Sequence, residues 1–281
     1  MTAIPIPHIR QRPSTGRLLL YAATSLLLVF LVAPILVVFP LSLSSGELLV
    51  LPTPGYSWRW YADFFTSQRW LLATYNSFVV GILTTLIATT LGTLASIGLY
   101  LGRFRGKAFV LAVLSLPMVT PVIVTAIALY FSLSAVGLGS TLTGLVLAHT
   151  VLSVPYVLLT VLASLQAFDP NLLRAAASLG ASPLQSFYRV VLPLIMPAVA
   201  TGALFAFATS FDELIVALFI ASPDQFTLPR QMYAGIREFL SPTIAAAAVL
   251  IILLSVVLLM INETIRKRAI RHTLPPTDRT P

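Results

Sequence analysis

The 61 residues from Ala108 to Phe168 contain no Asp, Glu, Lys or Arg. Four more uncharged runs, Leu18 to Gly46, Trp70 to Gly102, Val190 to Phe211 and Phe239 to Asn262, each exceed 20 residues. A helix needs about 20 apolar residues to cross a hydrocarbon core about 30 Å thick, so these runs are long enough to span a bilayer. An ordinary soluble domain is about 45–50% apolar and about 25% charged. With 58% and 9% over 281 residues, this chain has too much apolar surface for one aqueous core. The sequence therefore predicts an all-α integral membrane protein.

The longest run must cross twice, and its most glycine-rich interruption, Ala135 to Ser140, is the expected turn. The fifth span is expected to continue past Asp212 and Glu213 to about Ile220. That gives six transmembrane helices with both termini on one side: a basic tail over residues 1–17, a membrane domain over 18–265 and a second basic tail over 266–281. The first run, 29 residues long, exceeds a signal peptide's apolar region of about 7–15 residues and reads as an uncleaved helix. With the termini inside, only Arg59, Arg69, Arg230 and Arg237 of the 17 basic residues lie outside, as the positive-inside rule favours. The net charge of +8 is then a topology signal dispersed between spans, and no nucleic-acid partner is expected beside the membrane lipid.

Several features concern packing. Thr84, Ala88, Gly92 and Ser96 recur every four residues, a stripe of small side chains that lets another backbone approach closely. Pro34, Pro117, Pro121, Pro155, Pro193 and Pro197 fall inside spans, where they either kink helices or bend them around a path. Leu116 to Pro121 and Leu192 to Pro197 share an L-P-x-x-x-P form, a weak internal echo. His149 is expected to bond between helices, Glu263 to pair with Lys267, and Trp58, Trp60 and Trp70 to form an aromatic belt or a docking surface. No metal site is expected: there is no cysteine, and His149 stands alone within the spans.

The segment between the fourth and fifth spans, residues 169–193, lies in the expected cytoplasmic part. Asp169 is a good N-cap, with Pro170 at the first helical position, and Gly180 is a natural helix stop. Ser182 and Pro183 then repeat the start signal. Two short helices hinged at glycine result. Leu172, Ala175, Ala176 and Leu179 fall on one side of the first, as a ridge for the chain's own helix ends or for another protein.

Here the sequence resembles a known family. Ala175-Ala176, Gly180 and, after nine residues, Val190-Val191-Leu192-Pro193 match the loop E-A-A-x3-G-x9-I-x-L-P of permease subunits in bacterial ABC importers. Looser matches, Trp58-Arg59-Trp60-Tyr61, Asn76-Ser77, Arg103-Phe104-Arg105-Gly106, Leu147-Ala148-His149 and Ser210-Phe211-Asp212-Glu213, resemble the spermidine/putrescine branch. The resemblance implies a type I importer fold in the bacterial inner membrane, with the loop as the coupling helix that docks into an ATPase. Asp169, Arg174, Ala175, Ala176, Gly180, Ala181, Ser182, Pro183, Leu192 and Pro193 are the positions it assigns to coupling. Arg174 replaces the family's leading glutamate, so any pairing with the ATPase is lost, reversed by the partner or supplied by Asp169.

The resemblance further implies an ABC ATPase dimer, a second permease subunit and a periplasmic substrate-binding protein as partners. This chain itself has no Walker A motif, because Gly106-Lys107 is followed by Ala108 and preceded at the first glycine position by Leu101. ATP and Mg are then expected on the partner, with no cofactor and no catalytic residue here.

Asp212 and Glu213 sit between the last inner charge, Arg189, and the first outer one, Asp224. Asp212 falls about 8 Å outward of the midpoint, within a half-core of about 15 Å. Charges at that depth cost at least about 2.5 kcal/mol each on insertion scales and usually face a bundle interior or a watery path. Asp212 and Glu213, with Ser210, are the candidate path residues for a cationic solute such as a polyamine; pairing inside the bundle is the alternative. An aminophosphonate or metal-complex importer and a secondary transporter using the two acids are competing functions, and an intramembrane enzyme is remote without HExxH or G-x-S-x-G.

Overall fold

The computed structural model describes residues 15–169, 171–238 and 241–273. Twelve α-helices follow in order: α1 (Thr15–Ser42), α2 (Arg59–Thr66), α3 (Gln68–Leu101), α4 (Lys107–Val119), α5 (Val122–Ala135), α6 (Leu142–Gln166), α7 (Asn171–Ser178), α8 (Pro183–Ser186), α9 (Leu192–Phe211), α10 (Ile215–Ile220), α11 (Leu228–Glu238) and α12 (Pro242–Thr273). A π-helical turn, Phe187–Val191, joins α8 to α9, and a 3-10 turn, Pro223–Gln225, precedes α11. Among the described residues, five helices are long and apolar enough to cross a bilayer, six if the bent pair α4 and α5 counts as one.

The centre is a three-helix contact among α3, α6 and α9. The small-residue stripe of α3 makes it possible. Thr84, Ala88, Gly92 and Ser96 are all buried, and a Cβ on Gly92 would lie 2.7 Å from Val157 Cβ. Two stripe hydroxyls also bond across to α6, Thr84 Oγ1 to the Val146 carbonyl at 3.3 Å and Ser96 Oγ to that of Leu158 at 2.8 Å. In a membrane, where apolar contact with lipid is as good as with protein, such close approach and directional bonding decide which helices associate.

Two spans differ from expectation. The third does not cross as one kinked helix: α4 and α5 meet at 107° across Thr120 and Pro121. Pro121 has no N–H to continue the ladder, and α5 turns away to pack on α10. Leu192 to Pro197, by contrast, stays helical within α9, so the two L-P-x-x-x-P segments have different local structures. The turn expected at Ala135 to Ser140 is present, with Gly137 and Ser140 at positive φ. The fifth span ends at Phe211 rather than near Ile220. The last helix runs to Thr273, and its apolar, membrane-spanning part is Pro242–Ile265.

Candidate functional site

The segment from Phe168 to Val191 builds its hinge from local hydrogen bonds. The Asn171 N–H donates to Asp169 Oδ1 at 2.9 Å, satisfying an orphan donor at the start of α7; Pro170 lies outside the described residues. At the other end the Ala181 N–H donates to the Ala176 carbonyl and the Gly180 N–H to that of Ala177, each at 3.0 Å, with Gly180 at φ +81°. This is a Schellman stop, which needs a left-handed residue where glycine sits. Ser182 and Gln185 then form a reciprocal capping box that starts α8. Leu192 and Pro193 open α9 directly after the π turn.

α7 is apolar on two sides. Leu173 and Ala177 face inward, toward a half-open cavity of about 370 Å³ closed by Tyr100 of α3, Leu165 of α6 and Phe187 of the π turn. Of the expected ridge, Ala176 is half-buried, while Leu172, Ala175 and Leu179 are exposed, Leu179 at 88%. The ridge thus does not pack on the chain's own helix ends. Arg174 is exposed beside it, donating to Asn171 Oδ1 at 3.3 Å.

The acidic pair does not lie on a continuous helix. α9 stops at Phe211, and the Asp212 N–H still bonds the Ala208 carbonyl at 3.1 Å. The helical ladder then breaks, and Glu213 Oε1 accepts the Val216 N–H at 2.9 Å, capping α10. Neighbours on a continuous helix would sit about 100° apart; here the break gives the two acids different surroundings. Glu213 is half-buried at its cap. Asp212 is exposed and lines a groove of about 530 Å³ between α1, α9 and α12, with Phe205, Ser255 and Asn262. Asn262 Oδ1 is buried there without a hydrogen-bond partner. Sequence reading overlooked Asn262, although an amide ending an uncharged run was its signal. Ser210 faces away from that groove's lining: it is 4% exposed and shares a 2.9 Å hydrogen bond with Nδ1 of the fully buried His149. His149 thus bonds between helices, as expected of it.

At the opposite end from α7, the family-like pair Asn76-Ser77 ties α3 to the loop before α11. Asn76 Nδ2 donates to the carbonyls of Asp224 (3.0 Å) and Phe226 (3.1 Å), and Ser77 Oγ accepts the Leu228 N–H at 2.7 Å. Thr243 Oγ1 donates to Asp63 Oδ2 at 2.7 Å, joining α12 to α2. Trp60 and Trp70 are buried core residues, Trp60 donating to the Ser44 carbonyl at 2.7 Å, so only Trp58 of the three stands as an exposed belt residue would. Arg230 stacks on Phe226, 4.1 Å from the ring centroid, and burial lowers its pKa from the usual arginine value. Lys267 and Glu263 pair at 3.4 Å. Among the described residues, no three metal-ligating side chains come together.

Residues 88–271 match the family described as binding-protein-dependent transport system inner membrane component. The spermidine/putrescine transport system permease protein PotC of Escherichia coli K12 is 31% identical over 252 residues, 90% of this chain and 95% of its own. PotC of Haemophilus influenzae is 33% identical over 214 residues, 76% and 83% of the two chains. The putrescine transport system permease protein PotI of Escherichia coli K12 is 33% identical over 230 residues, 79% and 82%. Among solved structures, the bacterial alginate ABC transporter in complex with alginate pentasaccharide-bound periplasmic protein aligns at a TM-score of 0.68 and 16% identity, over 89% of this chain and 93% of that one. The inward-facing MetNI methionine ABC transporter aligns at 0.58 and 17%, over 70% and 94%. The fold is that of a type I ABC importer permease. With more than half of its length inside the family's boundaries and relatives above 30% identity along most of the chain, the protein belongs to the inner-membrane components of binding-protein-dependent transport systems.

Proposed function

We propose that this chain is one of two permease subunits of an ATP-driven importer for a polyamine such as putrescine or spermidine. The observation that carries the substrate class is the similarity to PotC and PotI along most of their lengths, since both are permeases of polyamine transport systems. Asp212 adds to it: an acid at membrane depth beside a groove can offset the charge of a cation leaving water. The groove is half a path, completed by a second, different permease.

In this reading the α7–α8 loop and both termini are cytoplasmic. The exposed ridge of Leu172, Ala175 and Leu179 seats in an ATPase subunit, where ATP and Mg are bound and hydrolysed. Asp169 is engaged in capping α7, so Arg174 meets an acid on the ATPase, a reversal of the usual pairing. Closure of the two ATPases moves the ridge, and α9, joined to it through α8 and the π turn, moves with it. A periplasmic binding protein delivers the solute to the α2 and α11 end.

The test is reconstitution with the second permease, the ATPase and the binding protein in proteoliposomes. Labelled putrescine or spermidine should accumulate only with ATP and the binding protein, and the same polyamine should co-purify with the binding protein. Accumulation without the ATPase would establish a secondary transporter instead, and a different co-purifying solute would overturn the polyamine assignment.

A further inference from the structure

We infer that His149 is a positioning residue that aims the Asp212 carboxylate, acting through Ser210. The inference rests on the reading of Asp212 as a path residue. α6 and α9 run antiparallel and meet in three rungs spaced one helical turn apart. Val157 receives Gly202, where an added Cβ would come within 3.1 Å of the Val157 Cα. One turn on, Ser153 Oγ donates to the Ala206 carbonyl at 3.3 Å. One turn further, His149 Nδ1 and Ser210 Oγ are 2.9 Å apart. The first rung is steric, the second joins side chain to backbone, and the last joins side chain to side chain. It lies two residues before Asp212, where the helical ladder of α9 ends.

That placement matters because apolar helix contacts resist separation better than rotation. A side chain just past a helix end points wherever the last turn rotates it, and a directional bond sets that rotation. The frame it refers to is rigid: α6 is held to α3 by the Thr84 and Ser96 hydroxyls and is the most buried of the long helices. Burial alone does not account for an imidazole here, since Nε2 is buried without a partner, a cost that leucine or phenylalanine would not carry. What the ring adds is its Nδ1 contact with Ser210.

The chain has no cysteine, so Asp212→Cys provides the single thiol of this subunit, and the complex carrying the cysteine-free parent chain supplies the background to subtract. Its reaction rate with a charged methanethiosulfonate reagent reads the orientation of residue 212 whatever the cargo is. Asparagine places a polar atom near the histidine Nδ1 position and glutamine near Nε2. In the Asp212→Cys chain, His149→Asn should therefore leave the rate within about twofold, while His149→Gln and Ser210→Ala shift it by about fivefold, within the range one net hydrogen bond is worth.

With Asp212 intact, His149→Gln and Ser210→Ala should raise the KM for putrescine about two- to tenfold with kcat nearly unchanged, and add nothing in an Asp212→Asn background. Thiol rates equal in all variants would overturn the inference, as would a loss of complex yield or kcat that His149→Asn shares. If the rates respond but Asp212→Asn leaves uptake unaltered, positioning stands and the path role of Asp212 fails.

Discussion

Val157 is fully buried between two glycines, Gly92 on α3 and Gly202 on α9. Its β-branched side chain fills the space that two missing Cβ atoms leave, so three backbones converge on one residue. Gly92→Ala would place a methyl 2.7 Å from Val157 Cβ and 3.1 Å from the Leu158 backbone nitrogen, and backbone cannot rotate aside. It should lower stability by about 1–3 kcal/mol, the usual range for overpacking, read as an earlier thermal transition of the purified complex. Gly98→Ala on the same helix has open space and should leave that transition unchanged. The period-four stripe was legible because small residues at helical spacing have one physical use in a membrane. The partner Val157 was not legible, since nothing in a run of valines and leucines marks which one meets a glycine.

At the scale of elements, α7 and α8 were readable in advance because their ends are written in short-range chemistry: an Asx cap, a glycine stop and a Ser-Pro restart. The two breaks in the long helices were not. Pro121 announced a kink, but its 107° angle depends on where α5 finds a surface, on α10, and that contact is non-local. The break after Phe211 has neither proline nor glycine to mark it from Ala203 to Ser222. It is held by a glutamate whose side chain caps the next helix, a role in which glutamate is uncommon. Gly180 makes a separate prediction. A Cβ there meets nothing within 4 Å, so Gly180→Ala tests backbone conformation alone, at a cost of about 1–2 kcal/mol for a left-handed alanine. The variant should insert and pair with the second permease normally but show weakened ATPase co-purification. ATPase binding and substrate-stimulated hydrolysis at native levels would show that the hinge is dispensable.

Across the whole molecule, the proposed orientation puts every coupling residue on the cytosolic side. Ser178 is exposed on α7, and a single thiol at Ser178→Cys should resist a membrane-impermeant maleimide in intact cells and react after permeabilisation. Labelling in intact cells would invert the topology and remove the ridge from the ATPase. The first helix stands apart from this plan. α1 lies along α12 and contributes nothing to the buried core over its apolar length, and residues 88–271 of the family match begin well beyond it. It is fastened near one end, where Ser42 Oγ is 2.9 Å from the Tyr61 hydroxyl and the Ser44 carbonyl takes the Trp60 indole N–H. A pole moored near one end and otherwise leaning on α12 can be lengthened, or retuned to a thicker bilayer, while α3, α6 and α9 keep their contacts with one another. Apart from the residues that wall the Asp212 groove, such as Ile35, this outrigger is what descent can rewrite with least disturbance to the engine.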